Sequence, residues 1–316
     1  MAHICRFMLA ITVSALFFMQ NTAMSASKYT VILEWFVNPD HAPLVVAKEK
    51  GFFEEVGLDV ELVAPADPND PPKLVAAGEA DLGISYQPQL HLQVDEGLPV
   101  VRVGTLVATP LVTMMVLPDG PVKTIADLKG KRIGYSVGFY RDTLLAAMLA
   151  RHDLALEDVE TVSINFALSQ ALLSRRVEAT IGAFRNFELN QMDIVGESGK
   201  AIFPEEEGVP AYDELIFIAD KKNVADGRHR KFLNGLERGV QYLINHPEES
   251  WDAFIAAHPD LDNEQNRRAW RDTLPRFALR PAALDSARYS RFAKFLSDLG
   301  LIRTIPAISE YAVEIP

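Results

Sequence analysis

Trp35, Asn38 and His41 recur at every third position in the segment Glu34-Trp35-Phe36-Val37-Asn38-Pro39-Asp40-His41-Ala42-Pro43. An indole stacks on a flat ring, while an amide and an imidazole can hydrogen-bond the ring's edge. The same residues also suit a plain turn, with Trp35 in a core and Asn38-Pro39-Asp40 capping a helix. Both readings stand on the loop alone. A second chemistry is offered by Gly134-Tyr135-Ser136-Val137-Gly138, which matches the G-x-S-x-G elbow of serine hydrolases. No His-Gly-Gly-Gly-like oxyanion segment precedes it, and His258 follows a helical stretch rather than a late strand. The preferred reading is a loop at a helix N-terminus whose N–H groups hold a polar ligand tail. Ser136, Gly138 and Tyr140 are then binding candidates, and a hydrolase using Ser136 is the enzymatic alternative. Arg141 and Arg185 keep an anion such as nitrate or a sulfonate open as ligand. The other histidines are scattered without metal-ligand spacing, so no metal is expected.

The elements that must position these residues alternate between strand and helix, the signature of α/β architecture. Strands are predicted at Tyr29–Trp35, Asp59–Val63, Leu82–Ile84, Val100–Val107, Thr113–Leu117, Arg132–Tyr135, Val159–Ile164, Ala179–Ala183 and Leu215–Ala219. Helices are predicted at Leu44–Lys50, Pro72–Ala77, Leu90–Glu96, Thr143–Arg151, Gln170–Arg175, His229–Asn245, Glu248–His258 and Asp285–Leu299. A weak internal repeat links Leu74–Ile84 to Leu172–Ala183: helix end, turn, short strand. Each copy runs into polar and aromatic residues, Ser85-Tyr86-Gln87 and Phe184-Arg185-Asn186-Phe187-Glu188. Two lobes that each end a strand at such a loop suggest two jaws around a cleft.

Composition narrows the class. Arg6, the apolar run Phe7–Met19 and the small residues Ala23 and Ser25 form a leader peptide, expected to be cleaved after Ser25. The run is shorter than a membrane span of about 20 residues. The only cysteine, Cys5, precedes it, so no lipidated cysteine and no disulfide are expected in the mature chain. Export without an anchor points to the periplasm. The remaining ~290 residues exceed the usual single-core size, which favours two lobes. Formal net charge is −12, and losing Arg6 makes it −13, without a basic cluster. That balance argues against nucleic acid and anionic membranes as partners.

Taken together, the chain resembles the periplasmic substrate-binding proteins of ABC importers, and more narrowly the branch related to the yeast thiamine-pyrimidine synthases. The resemblance rests on Trp35-x-x-Asn38-x-x-His41-Ala42-Pro43, Gly51-Phe52-Phe53-x-x-x-Gly57-Leu58, Gly78-x-Ala80-Asp81-Leu82-Gly83, Asp127–Tyr135 and Ile181-Gly182-Ala183-Phe184-x-Asn186-x-Glu188. It covers roughly Tyr29 to Ala219. It implies a type II, Venus-flytrap α/β protein, each lobe a mixed sheet flanked by helices. Residues 26–112 with 216–316 would form lobe I, and 113–215 lobe II. A monomer would close on a small molecule and dock on a permease driven by a cytoplasmic ATPase.

The ligand implied is a thiamine-pathway pyrimidine, such as a formylamino- or hydroxymethyl-aminopyrimidine. Trp35, Tyr86 and Tyr140 would stack on it, and Glu188 would pair with its amine and ring nitrogen. Glu188 also suits an ordinary helix start. Asn38 and Asn186 would meet its polar substituent. Asp67 suits a helix cap as well as the cleft, and His41 a structural place as well as the ligand. Riboflavin stays open, because aromatic walls accept any flat heterocycle. The related yeast enzyme uses pyridoxal phosphate, but its cofactor-linked lysine would fall at Ser85 and its cysteine-rich motif is missing. The expectation is therefore a binding protein without cofactor or catalysis.

Overall fold

The protein is described by a computed structural model that covers residues 26–315. The expected leader, residues 1–25 with Cys5 and Arg6, lies outside the described residues. Ten strands occur among the described residues: β1 Ser27–Ile32, β2 Leu58–Val63, β3 Leu82–Ser85, β4 Val100–Val107, β5 Val112–Val116, β6 Arg132–Tyr135, β7 Glu160–Ser163, β8 Ala179–Phe184, β9 Lys200–Ile202 and β10 Leu215–Asp220. They form two five-stranded sheets, in the orders β2-β1-β3-β10-β4 and β7-β6-β8-β5-β9.

The sheets repeat one plan. In the first, β1 runs parallel to β2 and β3, and β10 is antiparallel to β3 and β4. In the second, β6 runs parallel to β7 and β8, and β5 is antiparallel to β8 and β9. The repeated segments seen in the sequence end in β3 and β8, which hold equivalent places. Buried apolar side chains explain the strands: Val31 and Leu33 at β1, Ile84 in β3, Ile133 in β6, Ile181 and Ala183 in β8. The short β9, unforeseen in the sequence, has too few residues to show a period.

Helices complete the first lobe. Ala42–Glu49 packs on Gly227–Asn245 and Pro247–Ala257. Gly239 allows that approach, since a Cβ there would lie 2.6 Å from the Pro43 carbonyl oxygen. The outer edge of β4 is covered by the C-terminal segment: Arg102 N donates to Tyr311 O at 2.8 Å, and Val313 N to Arg102 O at 2.9 Å. An edge covered in this way offers no template for aggregation.

The chain crosses between sheets twice, from β4 to β5 and from β9 to β10. Glu214 ties the two crossings. Its Oε2 accepts from Leu111 N at 2.6 Å, Val112 N at 3.0 Å and the Tyr212 hydroxyl at 3.1 Å. Burial pushes this carboxyl up to about 7, and the two amides pull against that. Among the described residues no helix is long and apolar enough to cross a membrane.

Candidate functional site

The parallel strands β1, β3, β6 and β8 all aim their carboxyl ends at the gap between the sheets, where α/β folds hold ligands. A narrow cavity lies there, within about 330 Å³ of space that includes the part open to solvent. The loop after β1 contributes Glu34, Trp35, Asn38 and Asp40, and the residue after β3 contributes Tyr86. From the second lobe come Ser136 and Tyr140 after β6, Gly182 and Phe184 of β8, and Phe187 and Glu188 beyond it. The lining carries three carboxyl groups, those of Glu34, Asp40 and Glu188, and no lysine, arginine or histidine.

The first-lobe loop is held by its own polar groups. Asn38 caps the short helical turn Pro39–His41: its Oδ1 accepts from Asp40 N at 2.8 Å, and its Nδ2 donates to Phe36 O at 3.1 Å. Asn38 N donates to His41 Nδ1 at 3.2 Å, which leaves Nε2 to bond both Glu34 carboxylate oxygens at 3.1 Å. Asp40 Oδ1 accepts from the Asn186 amide at 2.5 Å and lies 3.1 Å from the Thr273 hydroxyl. Burial raises the Asp40 carboxyl to about 6; His41 pulls it down and Glu34 pushes it further up. Trp35 sits edge-on to Phe166 at 4.4 Å between ring centroids, within a cluster otherwise drawn from the second lobe.

The second-lobe wall is aromatic around one acid. Glu188 opens the helix Glu188–Ile194, and its Oε2 accepts from Phe184 N at 2.7 Å. Burial pushes its carboxyl up to about 8, outweighing the pull of that amide. A group so shifted is mostly protonated at neutral pH and can donate as well as accept. Tyr140 packs against Tyr86 of the other lobe at 5.4 Å, and its buried hydroxyl lies beside that of Tyr86 without a well-formed hydrogen bond. Gly182 is required here. Its φ is +102°, and a Cβ would lie 2.7 Å from the Tyr140 ring and 2.8 Å from Ser136 Oγ.

Of the residues expected at the site, Trp35, Asn38, Tyr86, Ser136, Tyr140 and Glu188 meet at the cavity. His41, Asp67, Gly138 and Asn186 are not brought to its wall. His41 is spent on Glu34 behind the loop. Asp67 accepts from the Asn69 backbone and side chain, each at 2.8 Å. Gly138 N donates to Asn69 Oδ1 at 3.0 Å, and Asn186 bonds Asp40 and Thr273. The sequence reading passed over Glu34, Asp40, Gly182, Phe184 and Phe187. The available signal was Gly182 itself, since a glycine inside a strand marks a bulge or a close approach, and β8 slips register against β5 at that point.

Other chemistries find little support in these residues. A nucleophile elbow needs a strained serine. Among the described residues the non-glycine positions with positive φ are Asp153, Asn165 and Arg175, so Ser136 is unstrained. Ser85 is buried, and its hydroxyl donates to Gln89 at 2.9 Å. With Ser85 in that place and no lysine on the wall, these residues do not fit a lysine-linked pyridoxal phosphate. Among the described residues no group of three or more His, Cys, Asp or Glu has metal-binding geometry.

Two mixed sheets facing each other across that cavity define a periplasmic-binding-protein fold. The fold is shared with the alkanesulfonate-binding protein of Xanthomonas axonopodis pv. citri, with a TM-score of 0.71 at 16% identity over 90% of this chain and 98% of that one. Residues 38–250 match the NMT1/THI5-like family, and the chain belongs to that family. It is 50% identical over 93% of its length, and 94% of the relative's, to a Haemophilus influenzae protein whose provisional name places it in thiamine biosynthesis. It is 32% identical to the formylaminopyrimidine-binding protein of Halalkalibacterium halodurans, over 71% of this chain and 69% of that one. At 26% identity, over 87% and 90%, it is similar to a 4-amino-5-hydroxymethyl-2-methylpyrimidine phosphate synthase of Legionella pneumophila. Binding proteins and enzymes thus stand among its relatives.

Proposed function

We propose that this protein is the solute-binding component of an ABC importer, and that it captures an unphosphorylated aminopyrimidine of the thiamine pathway. Formylaminopyrimidine and hydroxymethyl-aminopyrimidine are the intended ligands. The carrying observation is a cavity with aromatic walls, three carboxyl groups and no cation on its lining. Glu188, protonated by its burial, donates from its hydroxyl to a ring nitrogen and accepts from the adjacent amine. Trp35, Tyr86 and Tyr140 supply aromatic contact, and Ser136, Asn38 or the Tyr140 hydroxyl meets the polar substituent. Ligand binding draws in Glu34, Asp40, Gly182, Phe184 and Phe187 as well, while His41, Asp67, Gly138 and Asn186 act from behind the wall.

An anion would enter a cavity of the wrong sign. Arg141 is bonded to Asp142 at 2.6 Å and Arg185 to Glu205 at 2.7 Å, so both are engaged away from it. Residues 26–112 and 216–316 act as one jaw and 113–215 as the other. The mature protein works as a monomer in the periplasm, after loss of its leader, and delivers the ligand to a permease with its cytoplasmic ATPase. The relative named as a formylaminopyrimidine-binding protein supports this choice of ligand.

Calorimetry on the chain from Ala26 tests it, with formylaminopyrimidine, hydroxymethylpyrimidine and its phosphate, thiamine, riboflavin, nitrate and taurine as the panel. One-to-one binding of an unphosphorylated pyrimidine alone is expected. Binding only of riboflavin or an anion would keep the transport class and discard the ligand. Ester turnover that disappears in Ser136→Ala would replace the reading with a hydrolase.

A further inference from the structure

Three of the four residues that stand off the cavity wall have something in common. Gly138 and Asn186 take part in hydrogen bonds that cross from one lobe to the other, and Asp67 holds the Asn69 side chain that makes one of them. On one flank, the Asn186 amide of the second lobe donates to Asp40 Oδ1 at 2.5 Å and to Thr273 Oγ1 at 2.6 Å, both in the first lobe. All three side chains are buried. Asn190 Nδ2 extends this flank, donating to Asp272 Oδ2 at 2.8 Å. On the other flank, Asn69 Oδ1 of the first lobe accepts from Gly138 N of the second at 3.0 Å. Asp67 fixes the Asn69 side chain by accepting from its Nδ2 at 2.8 Å, which turns Oδ1 toward Gly138.

We propose that Asn186 and Asn69 are closure latches: they bond the lobes together on either side of the cavity and set how long it stays shut, without touching what it holds. The first latch also positions a cavity group. Asp40 lines the cavity and gives one oxygen to Asn186, so closure fixes its carboxyl in place. A hydrogen bond within one lobe would survive opening, but these break when the lobes part. Their loss therefore acts on the open–closed balance rather than on each lobe's own fold. Naming the cavity as the ligand site rests on the function proposed above; the latch geometry does not.

The test separates the two. A chain starting at Ala26 has no cysteine, because the single cysteine is Cys5. Spin labels can then be placed at Arg230 and Glu197, exposed positions in the first and second lobes. Pulsed spin-resonance distances are measured without ligand. The wild type is expected to show a short-distance population. Asn69→Ala and Thr273→Val should each move part of it to longer distance, and Asn186→Ala should move more. Thr273→Val keeps its shape and Asn69 lies on a half-buried loop, so both variants should fold even if Asn186→Ala does not. Release of formylaminopyrimidine should be about tenfold faster in the latch variants with association unchanged. A wild type that is wholly long-distance, or variants superimposable on it, would overturn the latches. If no pyrimidine binds at all, the ligand proposal fails while the distances still judge the latches.

Discussion

The two walls of the cavity are built on opposite plans. The first-lobe wall answers its own polar groups: Glu34 with His41, Asn38 with Asp40 N, Asp40 with the Thr273 hydroxyl. The second-lobe wall keeps polar groups back. Tyr140 has a buried hydroxyl with no well-formed hydrogen bond, only the Tyr86 hydroxyl beside it, and Glu188 holds a carboxyl that burial keeps protonated. An unanswered buried polar group costs stability, so a fold keeps one where something else will answer it. Under the proposed function, the first lobe supplies a fixed floor and the second supplies the recognition.

Breaking the floor should give the largest effect. His41→Ala leaves Glu34 buried without its partner, a loss of about 3–5 kcal/mol in folding stability. Urea denaturation followed by circular dichroism measures it. A loss under about 1 kcal/mol would mean that Glu34 finds water on its own, and that the floor is less fixed than its bonds suggest. Gly182→Ala comes next, on the recognition side. The added Cβ meets the Tyr140 ring and Ser136 at contact distances no side chain tolerates, in a backbone conformation that favours glycine. A cost of about 2–3 kcal/mol is expected, together with loss of pyrimidine binding in calorimetry. Normal binding would show that the β8 edge does not shape the cavity.

Glu188→Gln should leave the fold intact and weaken aminopyrimidine binding at least about tenfold, or about 1.4 kcal/mol, because an amide offers the same donor–acceptor pair but cannot pass a proton to the ring nitrogen and so makes only neutral bonds where the carboxyl can make charge-assisted ones. The same variant carries a pH signature. The Glu188 carboxyl is raised from 4.5 to about 8 in the folded protein, so the folded state binds more protons than the unfolded between those values. Its contribution to stability is fully present below about pH 4.5 and is lost as pH rises toward 8, by up to about 1.4 kcal/mol per unit. Denaturation midpoints of wild type and Glu188→Gln should therefore converge in acid. They should separate in favour of the variant as the pH approaches 8. Parallel curves would show that this carboxyl is ionised and solvated.

What the sequence disclosed and what it hid follow the same division between local and distant. Strands such as β4 and β6 were legible to the residue because their apolar runs are bounded by turn residues. The loop from Trp35 to His41 was legible as a functional element, but the roles within it were not. Whether Asn38 caps, or His41 faces the ligand, depends on Glu34 lying seven positions before His41 in the chain and directly behind it in space. The helix Glu264–Thr273 escaped notice because its charged composition masks a narrow apolar stripe. Its last residue, Thr273, reaches Asp40 from 233 positions away, a pairing that no local period announces. Asn186 was picked out by type and motif and then assigned to the ligand, because nothing local says that its amide points across the cleft.

The smallest expected effect sharpens the comparison from outside the cavity. Arg141 follows Tyr140 directly, and from the sequence it kept an anionic ligand in play. In the structure its guanidinium is bonded to the Asp142 carboxylate at 2.6 and 2.9 Å and to the Tyr135 hydroxyl at 3.3 Å. The residue is partly exposed, so the ion pair is worth about 0–1 kcal/mol. If recognition lies with the protonated acid and the aromatic faces, Arg141→Ala should change pyrimidine affinity less than twofold and leave sulfonate and nitrate unbound. A large drop in affinity would show that the side chain leaves Asp142 and swings into the cavity on closure. The second wall would then be a charged one after all, and the anionic and phosphorylated ligands would return to the front.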